Sequence, residues 1–168
     1  MFTIRQAKSD EADWLQTSFD AHMGWTKPEH YFADVCRWQN NDEVVLLIAV
    51  QDNLYLGHCL IVWQPYYRHF KDNDIPEIQD LNVCPDYRRQ GIATALMDDC
   101  ERRVKKRADT IGIGFGLYAD YGAAQRMYVK RGYVPDGHGV HYKRQPVTPD
   151  DSYPVDDDLV LYLTKHLL

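Results

Sequence analysis

The sequence has no C-x-x-C pair, no internal repeat, no low-complexity tract and no long apolar run. Its longest such run, residues 44–50, falls far short of the ~20 residues that carry a helix across a bilayer, so no membrane span is expected. Four scattered cysteines (Cys36, Cys59, Cys84 and Cys100) and the lack of a leader-like opening point to reduced thiols and a cytoplasmic protein. Positive charge is scarce: 19 Lys and Arg against 25 Asp and Glu leave a net charge of -6. That disfavours nonspecific nucleic-acid binding and mildly favours cationic small-molecule partners. Two phosphate loops are missing as well. There is no G-x-x-x-x-G-K-S/T segment, and no G-x-G-x-x-G beside the first strand. Gly112-Ile113-Gly114-Phe115-Gly116 lies inside a β-rich run, where glycines let neighbouring groups approach closely.

What is there suits a globular domain. The 168 residues are 45% hydrophobic and 26% charged, which excludes disorder over most of the chain. A chain of this length buries about 70% of its unfolded surface and needs no disulfide or metal staple, so residues 1–168 read as one domain. Residues 2–5 alternate as a short strand. Ser9 or Asp10 caps a helix that Gly24 stops, and Pro28 opens a second helix with Tyr31, Phe32, Val35 and Trp38 on one stripe. Residues 43–51 and 54–63 form a hairpin about Asp52-Asn53. After a loop over 64–76 comes a strand at 75–83, then a helix from Gln90 to about Ala108 with Ile92, Leu96, Cys100 and Val104 at four-residue spacing. A strand at 110–118, a helix at 122–131, a strand from Tyr133, a long excursion over 137–158 and an alternating strand at 159–165 complete the chain. The order β-α-α-β-β-β-α-β-α-β-β predicts a mixed α/β sheet.

The chemistry concentrates where the strand ending at Val83-Cys84-Pro85 runs through Arg88-Arg89-Gln90-Gly91-Ile92-Ala93 into a helix. Free N–H groups at a helix mouth and its positive dipole end bind phosphate oxygens, and Arg88 and Arg89 add charged donors. A phosphate-bearing ligand follows. This V-x-P-x-x-R-x-x-G-x-A run resembles the acetyl-CoA loop of the GNAT acetyltransferase superfamily. A second segment, Ala124-x-x-x-Tyr128-x-x-x-Gly132-Tyr133, is similar to that family's A-x-x-x-Y-x-x-x-G-F/Y, and the element order matches too.

The resemblance implies an acetyl-CoA-dependent N-acetyltransferase in which a small-molecule or protein amine attacks the thioester directly. Backbone groups of Leu81, Asn82 and Val83 would pair with the pantetheine arm, and N–H groups of this fourth strand would steady the oxyanion. Arg88, Arg89, Gln90, Gly91, Ile92, Ala93 and Thr94 would hold the pyrophosphate. Tyr128 would protonate the departing thiolate, against a competing role as a core aromatic. Glu77 would serve as general base, with Asp80 or a solvent-derived base as alternatives. Tyr121 stands where the family commonly carries a cofactor-touching Asn, and Asp120 is a partial substitute. Two other functions fit the same loop: a non-catalytic acyl-CoA-binding module and a nucleotide-binding regulator. The family often pairs through its last strands, and residues 159–163 offer an alternating apolar edge for a homodimer.

Other signals have plainer explanations. His138-x-x-His141 near a strand start puts the two rings on opposite faces; no metal site is assigned. The basic residues of 102–107 match a helix C-terminus. Most of Trp14, Phe19, Trp25, Tyr31, Phe32 and Trp38 are core, residues 63–70 are the better acceptor-site loop, and Asp156-Asp157-Asp158 is a solvated turn.

Overall fold

A computed structural model describes all 168 residues. Eight strands, β1 (Thr3–Gln6), β2 (Val44–Gln51), β3 (Leu54–Val62), β4 (Glu77–Val83), β5 (Thr110–Gly116), β6 (Val134–Tyr142), β7 (Gln145–Pro146) and β8 (Leu159–His166), form one sheet. Their order is β1-β2-β3-β4-β5-β8-β6-β7. Only β4 and β5 run parallel. Five helices flank the sheet: α1 (Ala12–His22), α2 (Tyr31–Asn40), α3 (Arg68–Asp72), α4 (Ile92–Val104) and α5 (Gly122–Lys130). None is long and apolar enough to cross a membrane.

The continuous apolar run of β2 follows from burial on both faces. Val45, Leu47 and Ala49 pack with Leu96 and Cys100 of α4 and Tyr128 of α5. Val44, Leu46 and Ile48 pack with Leu15, Phe19 and Phe32 of α1 and α2. Each such aliphatic side chain contributes roughly 1.5–3 kcal/mol by leaving water. The four-residue stripe of α4 is wholly buried, and the arginines at and beyond its end are paired: Arg102 and Arg103 with Asp99, Arg103 Nε at 2.6 Å, and Arg107 with Asp42 at 3.1 Å.

Three expectations need correction. The loop at 64–76 contains the one-turn helix α3, whose Phe70 is fully buried with Tyr67 and Tyr162. The excursion is shorter than its composition suggests, because β6 runs through to Tyr142 and turns into β7 at Lys143 and Arg144, both left-handed. Gly137 and Gly139 sit where β6 bulges away from β8 between Pro135 and Val140. Finally, residues 159–163 are no free edge: β8 lies between β5 and β6 and pairs with both. The β6 bulge breaks simple alternation between His138 and His141: His141 is buried against Tyr67, and His138 is exposed beside His69 of the same segment as Tyr67.

Candidate functional site

The site begins where a strand pair comes apart. β4 and β5 are in register only at Glu77–Gly112 and Ile78–Ile113. Past that point they diverge, leaving one side of the β4 backbone unpaired along a cleft of about 690 Å³. On its other side β4 carries a bulge, since Leu60 faces Gln79 and His58 faces Asn82, so Cys59 alone opposes Asp80 and Leu81. Asp80 takes a left-handed conformation there (φ 54°). The extra residue shifts the alternation of faces: Ile78, Leu81 and Val83 all pack on the α4 side, whereas Asp80 turns towards α1 and α2.

At the far end of β4 the chain enters α4 through Arg89 (φ 60°) and Gly91 (φ 83°). A left-handed N-cap suits glycine, which has no Cβ to strain. No backbone N–H of residues 89–94 has an acceptor within the chain; the first helical bond is Ala95 N–H to Gly91 O at 2.9 Å. Arg88 Nε donates to Val83 O at 3.2 Å, and Arg88 lines the cleft. Leu81 and Asn82 also line it, while Val83 is half-buried at its end. Ile92 instead turns inward as the first core residue of α4, leaving only its N–H at the mouth. Sequence reasoning missed the hollow of about 490 Å³ beside Thr94, where Arg126 and Lys130 of α5 extend the positive surface.

Glu77 and Tyr128 approach the opening from opposite faces of the sheet. Glu77 is 6% exposed and alternates with the core residue Ile78, so its carboxylate lies on the face away from α4 and α5. Burial raises its pKa from 4.5 to about 7, although Gln79 Nε2 donates to Oε2 at 2.9 Å and Arg144 lies near enough to oppose the rise. Tyr128 packs in the α4–α5 core and also lines the cleft, with no hydrogen-bond partner for its hydroxyl in the chain. Tyr128 is thus a core aromatic that also reaches the cleft, and burial, with a smaller effect from Cys59 and Cys100, keeps the phenol protonated.

Asp80, the alternative base, is fully engaged. Its Oδ1 accepts from Lys27 Nζ and, at 2.7 Å, from Asn82 Nδ2; its Oδ2 accepts from Tyr31 and lies 2.7 Å from His58 Nε2. Burial alone would raise this carboxyl, but His58 and Lys27 outweigh it and hold it well below the usual carboxylate range. An acid held that strongly ionised is a poor proton acceptor. Lys27, lying over the rings of Phe19, Trp25 and Tyr31, thus ties the α1–α2 connection to the β4 bulge.

The face carrying Glu77 has a bare floor. Gly112, Gly114 and Gly116 share that face of β5, and their missing side chains are replaced by Phe70, by Val160 with Tyr162, and by Tyr121 respectively. Tyr121 therefore spreads its ring over Gly116 and donates its hydroxyl to Asp157 at 2.9 Å, as Tyr118 also does. Asp157 is thereby part of the cleft wall rather than only a solvated turn, and Asp120 lies at the same rim. Tyr162 had no local signal beyond its place in an alternating strand.

Comparison with protein families matches residues 9–133 to the acetyltransferase (GNAT) family. The chain is 27% identical over 118 residues to an uncharacterized N-acetyltransferase of Methanocaldococcus jannaschii, covering 66% of this chain and 51% of that one, so it spans about half that relative's length. Its fold is similar to the ribosomal-protein-S18-alanine N-acetyltransferase of Escherichia coli, with a TM-score of 0.69 at 16% identity over 99% of this chain and 94% of that one. It is equally similar to YncA of Salmonella typhimurium, solved with its cofactor acetyl-CoA, with a TM-score of 0.69 at 12% identity over 99% and 94% of the two chains.

Proposed function

Because the chain belongs to the acetyltransferase (GNAT) family, we propose that it moves an acetyl group from acetyl-CoA to the primary amine of a small molecule or protein, by direct attack in a ternary complex. The observation that carries this reading is a cleft that brings together an unpaired strand edge, Arg88 just before a helix mouth of free N–H groups, and a buried carboxyl and phenol on opposite faces.

The residues fit the co-substrate's parts. Unpaired N–H groups of residues 89–94, with Arg88 and Arg89 beside them, suit a pyrophosphate. The open edge of Leu81, Asn82 and Val83 suits an extended amide-bearing arm, as an added strand suits a sheet edge. Acetyl-CoA supplies the activated acyl thioester.

Glu77 and Tyr128 then divide the proton transfers. Glu77 takes the proton that the amine nitrogen loses as it bonds to the acetyl carbon. A carboxyl with a pKa of about 7 is substantially ionised near neutrality, yet basic enough to take that proton in the transition state. Tyr128 gives its hydroxyl proton to the sulfur as the C–S bond breaks. Holding the two groups in place lets positioning supply much of the rate.

Calorimetric titration with acetyl-CoA, with CoA and ATP run beside it, tests the cleft assignment: micromolar acetyl-CoA binding that exceeds ATP binding is expected. Tyr128→Phe should then slow thiol release while leaving that affinity within about twofold. Full activity in both Tyr128→Phe and Glu77→Gln would overturn the acid and base assignments, and tight ATP binding without acetyl-CoA binding would indicate a nucleotide-binding regulator.

A further inference from the structure

Tyr162 is almost fully buried, yet its hydroxyl has no hydrogen-bond partner within the chain and the residue lines the cleft. The ring is buried but its hydroxyl oxygen is held open towards the cleft, free to pair with a bound molecule. Register places it. Glu77 pairs with Gly112, and Gly114 pairs with Tyr162, so all four residues share one face. A methyl group on Gly114 would lie 3.0 Å from Tyr162 Cε1, which shows that the ring leans over Gly114, towards β4.

The ring cannot easily turn away. It stacks on Tyr67 with centroids 3.7 Å apart and planes at 5°, while Phe70 and His141 close on its edges. Tyr67 is itself fixed by donating its hydroxyl to Asp136 at 2.7 Å. Burial, followed by the nearby Glu77 charge, keeps the Tyr162 phenol protonated. A rigid, open hydroxyl therefore stands on the Glu77 side of the cleft, across the sheet from Tyr128.

We propose that the Tyr162 hydroxyl binds the acceptor's reacting nitrogen, accepting a hydrogen bond from one N–H while Glu77 takes the proton from another. This rests on the acetyltransfer reading above. It gives the nitrogen two fixed partners, so its lone pair is directed at the acyl carbon rather than left to rotate.

Because the contact is with nitrogen itself, propylamine serves as the probe. Tyr162→Phe removes one oxygen and keeps the stack. It should lower kcat/KM for propylamine about tenfold, the scale of one lost hydrogen bond, while the dissociation constant for acetyl-CoA stays within about twofold. A variant with kcat/KM within twofold of wild type, alongside a slow Glu77→Gln enzyme, overturns the Tyr162 assignment alone. An equal loss of acetyl-CoA affinity overturns it too, by showing a structural defect. No propylamine-dependent thiol release from the wild-type protein overturns the acceptor reading together with this inference.

Discussion

Glu77→Gln separates the effect of burial from the effect of chemistry. The carboxyl is 6% exposed, and burial carries its pKa from 4.5 to about 7. That rise corresponds to about 3 kcal/mol of extra cost for the ionised form in the folded protein. Below pH 4.5 folded and unfolded chains both keep the proton, and the group costs no stability. Between 4.5 and about 7 the unfolded chain releases its proton while the folded chain holds it, so stability falls as pH rises; above about 7 the loss is complete. Glutamine keeps the size and the contact with Gln79 but carries no charge. The variant should therefore melt near the wild-type temperature at pH 4.5 and roughly 5–10 °C above it at pH 8.5.

Activity should move the other way. At saturating acetyl-CoA, the wild-type rate should rise with pH through a midpoint near 7, and the variant should lose that limb and run about 10²–10⁴-fold slower. Paired thermal melts and thiol-release assays across the same pH series measure both. Melting curves of the two proteins that track each other from pH 4.5 to 8.5 would refute the burial argument. A variant that keeps the limb near pH 7 would refute the base assignment.

Asp80→Ala should cost about 3–5 kcal/mol in urea denaturation, because it strips Lys27 and His58 of a shared buried partner. Since the Asp80 carboxyl is held low, its contribution is present above the unfolded carboxyl range and lost as pH falls through the folded value, so the gap between wild type and variant should narrow in acid. Gly112→Ala would place a methyl group 2.2 Å from Phe70 Cε2; overpacking of that kind should cost about 1–3 kcal/mol in a thermal melt, and an unchanged melt would mean that Phe70 yields freely.

Features written in short stretches of chain are the ones the sequence discloses. The mouth before α4 depends on a few consecutive backbone groups and one left-handed glycine, and the stripe of α4 repeats within its own helix. Features built by distant partners stay hidden. Lys27 meets Asp80 across 53 positions and His58 meets it across 22, so nothing near Asp80 marks it as already engaged. The helix α3 has only five residues, too few to show a period. Gly137 and Gly139 look like chain breakers, yet they occupy a bulge within a strand that continues beyond it. The place of β8 between β5 and β6 depends on long-range pairing, and an alternating strand reads the same at an edge or inside.

The glycines of β5 show how a correct local reading can hide a functional one. Ile111, Ile113 and Phe115 fill the core beneath α4 and α5, so the strand is packed, as its composition implies. The three glycines alternate with them and give the opposite face of β5 no side chains of its own, on the same side of the sheet as Glu77, whose carboxyl lines the cleft. Ordinary side chains on that strand would collide with Phe70, Tyr162 and Tyr121, which occupy the space instead. Because glycine contributes no chemistry of its own, the groups above that face must come from elsewhere: Phe70 from α3, Tyr121 from the turn before α5, and Tyr162 from β8. In the proposed acetyltransfer reading, the side of the cleft that takes the cofactor is written in a motif, whereas the opposite side is written in missing side chains and the distant rings that cover them. Tyr162→Phe should therefore slow turnover of primary amines in general, measured by thiol release, before it alters acetyl-CoA binding.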